Sequence, residues 1–438
     1  MPAIQKDKLN DKRKEKLKVL KSGYDALFKA INEDMTLFAP DKDETAKEMF
    51  LDESQFSDRR NVLKGTLNSL IELLENSSSA EEIHERGMQM AEKSATLRKK
   101  NLAAIVAKAK PLEKSYRELA LFYRNAGPNA LKNLTIVNVD REMVKDADDE
   151  TITTKVNEIL ADPHLRVDQD KVYSLMVIPD FLGEQLIQQY TTIADENKVL
   201  FFGDYRDMPN VEALLKYRDT EQGRRVGGSQ KYWSHAVMLA NHVRMREKHA
   251  DLNEKDDMYG SPAMAIAGKL YATKISQPAA GVQFGEVKSS LGLRFSVNQP
   301  QVGMMSKVNI NPMMNAYGQD MPFEAKTMFD GENLELKHYA VVRTLDWIDK
   351  SIKHFLGKYT FEQVSKEKAD GIRRSLVKFF EDLAEQKIIE KANIKKFERN
   401  RDQPDRFDID IDIVPLWAVR TMVYKIGVTK DGAETEMG

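Results

Sequence analysis

The sequence predicts a mixed chain, α+β with α/β character: a helical N-terminal region, a central β/α sheet domain, and C-terminal helices followed by terminal strands. Three observations predict it. Apolar residues recur every three or four positions over long stretches near both ends. In the middle, short apolar runs alternate with helical segments, and near the C-terminus the apolar period changes to two. The expected divisions are 1–128, 129–310 and 311–438.

The first region reads as almost wholly helical. Lys6 to Lys21 carries many basic residues, with Leu9, Leu17, Val19 and Leu20 as a partial apolar face. A helix through Leu63, Leu67, Leu70, Ile71 and Leu74 ends in Asn76-Ser77-Ser78-Ser79. Helix resumes from Ala80 to about Lys110, and Pro111 begins another stretch reaching Tyr123. Asn125-Ala126-Gly127-Pro128 is a strong breaker and marks the first division.

Beyond it, Leu134 to Val139 reads as a short strand and Glu142 to Leu160 as partly helical. Val172 to Pro179 has the look of a buried strand, with a helix over Glu184 to Asp195 and another strand over Lys198 to Asp204. Alternation of this kind argues for a parallel or mixed sheet covered on both faces. Helices are expected at Lys231 to Lys248 and Ser261 to Ala272, then a loop-rich stretch with β character from Pro278 to Val308.

The last hundred residues are the most informative. Val341, Leu345, Ile348, Ile352, Phe355 and Leu356 mark one helical face within Tyr339 to Tyr359. Ile372, Leu376, Phe379, Phe380 and Leu383 mark a second helix, from about Val364 to Glu390. After Asn400-Arg401-Asp402-Gln403-Pro404, Asp408, Asp410 and Asp412 alternate with Ile409, Ile411 and Ile413. Leu416 to Val428 reads as a final strand with no later element to cover it. Such an edge is expected to find its partner on another chain.

Composition narrows the function classes. Of 438 residues, 41% are hydrophobic and 31% charged, as in a soluble globular protein. A net charge of −2 gives no global basic field to recruit nucleic acid or an acidic membrane. No apolar run approaches the ~20 residues of a membrane span. Met1-Pro2-Ala3-Ile4-Gln5-Lys6 runs into charges, so no secretory signal is expected. The absence of cysteine excludes disulfides and thiolate sites, and is compatible with a cytoplasmic setting.

Motifs that could carry chemistry have plainer readings. Gly223-Arg224-Arg225-Val226-Gly227-Gly228-Ser229 lacks the closing lysine and hydroxyl of a phosphate loop, and reads as an exposed turn leading into the next helix. His235, His242 and His249 recur every seven residues of one expected helix, about 10 Å apart along its axis, too far to share a metal. Ser234 beside His235 lacks a nucleophile elbow, and adjacent helical residues point different ways. Asp408, Asp410 and Asp412 would line one strand face at about 6.6 Å intervals, as a solvated edge or one facing a basic partner. No cofactor, metal or catalytic residue is expected.

As an ordered series, residues 172 to 428 resemble the contractile sheath proteins of phage tails and type VI secretion systems. The resemblance rests on Val177-Ile178-Pro179-Asp180, Val199-Leu200-Phe201-Phe202-Gly203-Asp204 and the small-residue helix Ser261 to Ala272 with its turn Gln277-Pro278-Ala279-Ala280-Gly281. It continues through Val308-Asn309-Ile310-Asn311, Phe323-Glu324-Ala325-Lys326-Thr327 and the helix start Tyr339 to Ile348. The helical N-terminal region makes the chain most similar to a divergent type VI large sheath subunit. It lacks the aromatic and histidine-rich N-terminal motif of the common form. A sheath from a phage-like injection particle is the alternative within the family, and a nucleotide-dependent β/α enzyme the alternative outside it.

The resemblance implies a cytoplasmic structural protein that polymerises helically around a tube of stacked hexamers and contracts to propel it. Its implied partners are further copies of itself, a small sheath subunit on the N-terminal helices, the inner tube protein, a baseplate and an ATP-driven disassembly unfoldase. Leu416, Val419, Thr421, Val423 and Ile426 would belong to a strand linking subunits. Arg373, Arg374, Lys378, Glu381 and Glu385 would face the tube, on the side of their helix opposite the apolar stripe.

Overall fold

A computed structural model describes residues 79–127, 134–139, 141–147, 150–161 and 173–420, the backbone of 427–430 and 433–436, and isolated positions between 65 and 72. The expected helix at Lys6–Lys21 lies outside the described residues, as do Leu63, Leu67, Leu70 and Leu74 of the next stripe; Ile71 is helical. The chain divides into two compact units between Ala107 and Lys108.

Helices α1 (Ala80–Asn125), α2 (Arg141–Lys145) and α3 (Thr151–Ala161) precede the sheet. Then follow β1 (Leu175–Ile178), α4 (Glu184–Asn197), β2 (Leu200–Asp204), α5 (Val211–Arg218) and α6 (Glu221–Arg224). A 3-10 turn at Lys231–His235 leads into β3 (Ala236–Ala240), β4 (Val243–Arg246), β5 (Met258–Gly260) and α7 (Pro262–Ala272). Next come α8 (Gly281–Phe284), α9 (Gln299–Lys307), β6 (Asn311–Ala316) and β7 (Gln319–Pro322). The chain continues through α10 (Tyr339–Gly357), α11 (Lys366–Glu385), β8 (Ile389–Arg399), β9 (Phe407–Pro415), β10 (Gly427–Lys430) and β11 (Ala433–Glu436).

The central sheet has the order β1-β2-β3-β6-β7. Its first four strands are parallel, and β7 returns antiparallel to β6. β2 and β3 are buried on both faces, which explains their unbroken apolar runs. Phe201 and Met238 pack with Ile187, Tyr190, Leu214 and Trp233 on one face. Leu200, Phe202, Val237 and Leu239 pack with Ile266 and Leu270 of α7 and Tyr339 and Val342 of α10 on the other.

Helix α7 explains its small residues. A Cβ on Gly268 would lie 2.3 Å from the Phe122 carbonyl oxygen and 3.1 Å from the Ala126 nitrogen. The end of α1 therefore presses backbone to backbone on α7. Glu118 of α1, itself buried, accepts from the Ser261 N–H at 3.1 Å, and Asp204 accepts from the Ala263 N–H at 2.9 Å, so two carboxylates serve the start of α7. Asn125 accepts from the Lys288 N–H at 2.8 Å and closes the same corner.

The C-terminal elements enclose a smaller core of Ile348, Leu376, Phe380, Leu383 and Ile389, with Phe379, Ile394, Ile411 and Ile413 packed against it. Helix α10 joins the two cores, its first turns on the sheet and Ile348 in this cluster.

Several expectations are corrected. Pro111 lies inside the continuous α1 and does not start a new helix. The buried Glu118, Leu121, Phe122 and Asn125 anchor the last turns, and tertiary packing offsets the missing N–H. Residues 134–139 form no strand, and Leu134, Ile136 and Val137 stay exposed. The helix expected over Lys231–Lys248 is a 3-10 turn and two strands, because an apolar run buried on both faces has no period to read. The stretch 278–308 is mostly loop with two short helices; its one β feature is the bridge from Leu293 to Val243. Gly223 and Val226 of the glycine segment are buried, and only its arginines and Ser229 are exposed. Finally, α11 stops at Glu385 and β8 follows it, a strand the apolar pattern concealed.

Candidate assembly surfaces

Ser365 caps α11, accepting from the Lys368 N–H at 3.2 Å. Ile372, Leu376, Phe380 and Leu383 then form its buried stripe, with Phe379 half-buried beside them. Arg373, Arg374, Lys378, Glu381 and Glu385 are all exposed on the remaining surface. Lys368 is half-buried instead, paired with Glu362 and lying over the Tyr359 ring at 5.8 Å.

Strands β8 and β9 form a two-stranded antiparallel sheet. The acidic alternation on β9 meets cations of its own chain. Asp408 pairs with Lys396 at 3.2 Å and Arg406 at 2.6 Å and accepts from Asn400 at 2.8 Å; Asp412 pairs with Lys395. The Asn400 hydrogen bond, with those from Arg406 and Lys396, holds the Asp408 carboxyl down at about 2. Register shifts between Ile389 and Lys391 and between Ile394 and Lys396 space the apolar residues of β8 at 389, 392, 394 and 397. Such spacing imitates a helix, so the strand escaped sequence reading.

Beyond Pro415 the chain runs without regular structure to Arg420. Leu416 is 43% and Val419 71% exposed. Thr421, Val423 and Ile426 lie outside the described residues. The expectation that a strand ending at Val428 has no later partner is corrected: β10 pairs antiparallel with β11. In the sequence the two strands are separated by Asp431-Gly432, a dipeptide that is itself a hairpin signal.

The buried histidines tie elements together. His235 places Nδ1 3.1 Å from Asp195 and Nε2 3.0 Å from Asp346, linking the sheet to α4 and α10. Ser234 lies 3.1 Å from the same Nδ1, so these neighbours, in a 3-10 turn, do meet, but both are buried. His242, buried between Asp204 and Asp207, has its pKa lowered by that burial. A cleft of about 120 Å³ beside Tyr173, Arg343, Trp347 and Lys350 is far below the roughly 300–1,000 Å³ of ordinary small-molecule sites. Among the described residues no group of three or more His, Cys, Asp or Glu is placed to hold a metal, and no helix is long and apolar enough to cross a membrane.

Family models of the type VI secretion TssC/VipB proteins match the chain along nearly its whole length: the N-terminal region at 10–102, the central domain at 104–330 and the C-terminal domain at 338–437. The chain belongs to the TssC/VipB family. It is a structural subunit of a contractile sheath of the type VI kind. The fold agrees with solved sheath-like chains. The contracted helical sheath of the anti-feeding prophage has a TM-score of 0.52 at 15% identity, covering 72% of this chain and 81% of that one. A chain of the six-fold symmetrised baseplate of the same particle has a TM-score of 0.50 at 17% identity, covering 72% and 80%. No curated protein matches. The family implies self-assembly into a helical polymer and association with a tube and baseplate.

Proposed function

We propose that this chain is the large subunit of a cytoplasmic type VI sheath, joined to its neighbours by strand addition and to a small sheath subunit through its N-terminal helices. The carrying observation is the β8–β9 sheet. It has only two strands, and among the described residues both outer edges are unpaired. Packing on α11 holds the pair, but its two edges carry open backbone groups that strands from neighbouring copies would complete. Contacts of this head-to-tail kind do not close and therefore build a helix.

The exposed mixed charge of α11 suits the tube contact. Isolated surface ion pairs contribute about 0–1 kcal/mol, so the grip can release when the sheath slides. Contraction requires two packings of the same subunits and no catalytic residue, and a separate ATP-driven unfoldase would recycle the contracted polymer. A small subunit would cover exposed apolar groups on α1. In the first unit Leu97 and Ile105 are 59% and 62% exposed.

Co-expression with a candidate small subunit tests the reading. The full chain should co-purify with it and form tubes by electron microscopy. Residues 108–438, which keep the α1 end that packs on α7, should stay folded and lose the partner. Full retention of binding by 108–438 would count against the N-terminal helices as the contact.

A further inference from the structure

The root of the C-terminal arm is fastened to the body of its own chain at two points. The Trp417 ring meets His338 edge to face, with centroids 5.4 Å apart at 87°. Three residues on, Arg420 donates to Glu324 Oε1 from Nε at 3.0 Å and from Nη2 at 2.5 Å, and Nη2 also reaches Ser306 Oγ at 2.8 Å. The receiving surface comes from three places: the end of α9, the segment after β7 and the residue before α10. They are joined by the bridge between Lys326 and His338 and by Lys326 Nζ, which donates to the Ser306 carbonyl at 2.8 Å.

This contact is built rather than incidental. The Glu324 side chain is 4% exposed, and a buried carboxylate without a cation is costly. Arg420 supplies two of its donors to one carboxylate oxygen, a charge-assisted contact stronger than a neutral one. The apolar Leu416 and Val419, by contrast, stay exposed, Val419 the more so. Polar and ring contacts, rather than hydrophobic burial, hold this stretch.

We propose that Trp417 and Arg420 form a clasp that fixes the root of the C-terminal arm to its own subunit, so that residues beyond 420 reach a neighbour from a defined point. Tension on the arm then enters the central sheet through Glu324, two residues past the end of β7, instead of peeling β9 from β8. The transmission of tension rests on the sheath reading; the clasp is a property of the single chain.

The test therefore uses the full-length, unpolymerised chain, treated with chymotrypsin under native conditions, with cleavage after Trp417 followed by mass spectrometry. Arg420→Gln and Glu324→Gln should each speed cleavage about tenfold or more, because cleavage tracks the open population. The double variant should be no faster than the faster single one, since both remove the same contact, and Arg420→Lys should fall between. Circular dichroism checks the fold. Arg420 is half exposed on the arm, so its variant leaves the body intact even if Glu324→Gln does not. Unchanged cleavage in Arg420→Gln, or multiplied effects in the double variant, would overturn the clasp. Neither result depends on whether the chain polymerises.

Discussion

Gly268→Ala sets helix propensity against packing. In an open helix this change gains about 1 kcal/mol, because alanine restricts the unfolded chain and favours the helix. Here the new Cβ would sit 2.3 Å from the Phe122 carbonyl oxygen and 3.1 Å from both the Ala126 nitrogen and Asn125 Cβ. Comfortable non-bonded contact needs about 3.5 Å, so α1 and α7 must part by roughly 1 Å. Two of the three obstacles are backbone atoms, which no rotamer change can move. Overpacking of this kind costs about 1–3 kcal/mol, and separation also loosens the Asn125 bonds to Lys288. The expected balance is a loss of about 1–2 kcal/mol, read as a lower urea midpoint at unchanged slope. Gly303→Ala in α9 and Gly371→Ala in α11 are the controls. Each added Cβ meets nothing within 4 Å, so each should gain about 0.5–1 kcal/mol. A Gly268→Ala protein as stable as these controls would refute the close-approach argument.

Four further outcomes are expected. Deleting residues 416–438 should abolish long tubes in electron micrographs while leaving a folded body, its urea midpoint lowered because the buried Glu324 loses Arg420; normal tubes would remove the linking role of the arm. Because β11 and half of β10 lie in 429–438, deleting that tail alone should also impair assembly. Reversing Arg373, Arg374 and Lys378 to glutamate should slow tube-templated assembly without lowering the melting temperature, since all three lie off the buried stripe; unchanged assembly kinetics would move the tube contact elsewhere. The β8–β9 hairpin should lose stability in acid. The Asp408 pKa is depressed from 3.8 to about 2, so its stabilising contribution is complete above about pH 4 and lost as the pH falls toward 2. Asp408→Asn should flatten that acid limb; an unchanged limb would show that the Asn400 and Arg406 contacts do not matter in solution.

Where one face of an element met the core, its period was legible. Helices α10 and α11 and strand β9 followed from apolar spacing alone; α11 and β9 keep a buried and a solvated side, while the first turns of α10 are buried all round. Strand β3 did not: with both faces buried, Ala236 to Ala240 carries no period, and its neighbours β2 and β6 chose the conformation. The ordered motifs from 172 to 428 pointed to the sheath family without any contact being known. The candidate surfaces were legible in part, since the charged side of α11 is written in its sequence, but β8 was hidden by its two register shifts.

By itself, then, the sequence determined which segments are amphipathic, where the chain turns and which family pattern it follows. Those properties depend on neighbours a few residues apart. Tertiary structure alone decided that Gly268 is a helix crossing, that Asp408 and Asp412 of β9 are answered by lysines of β8, and that Arg420 closes on Glu324, 96 residues away. No local pattern encodes such meetings. They depend on which surfaces the folded sheet brings within a few ångströms, and their energies arise only there.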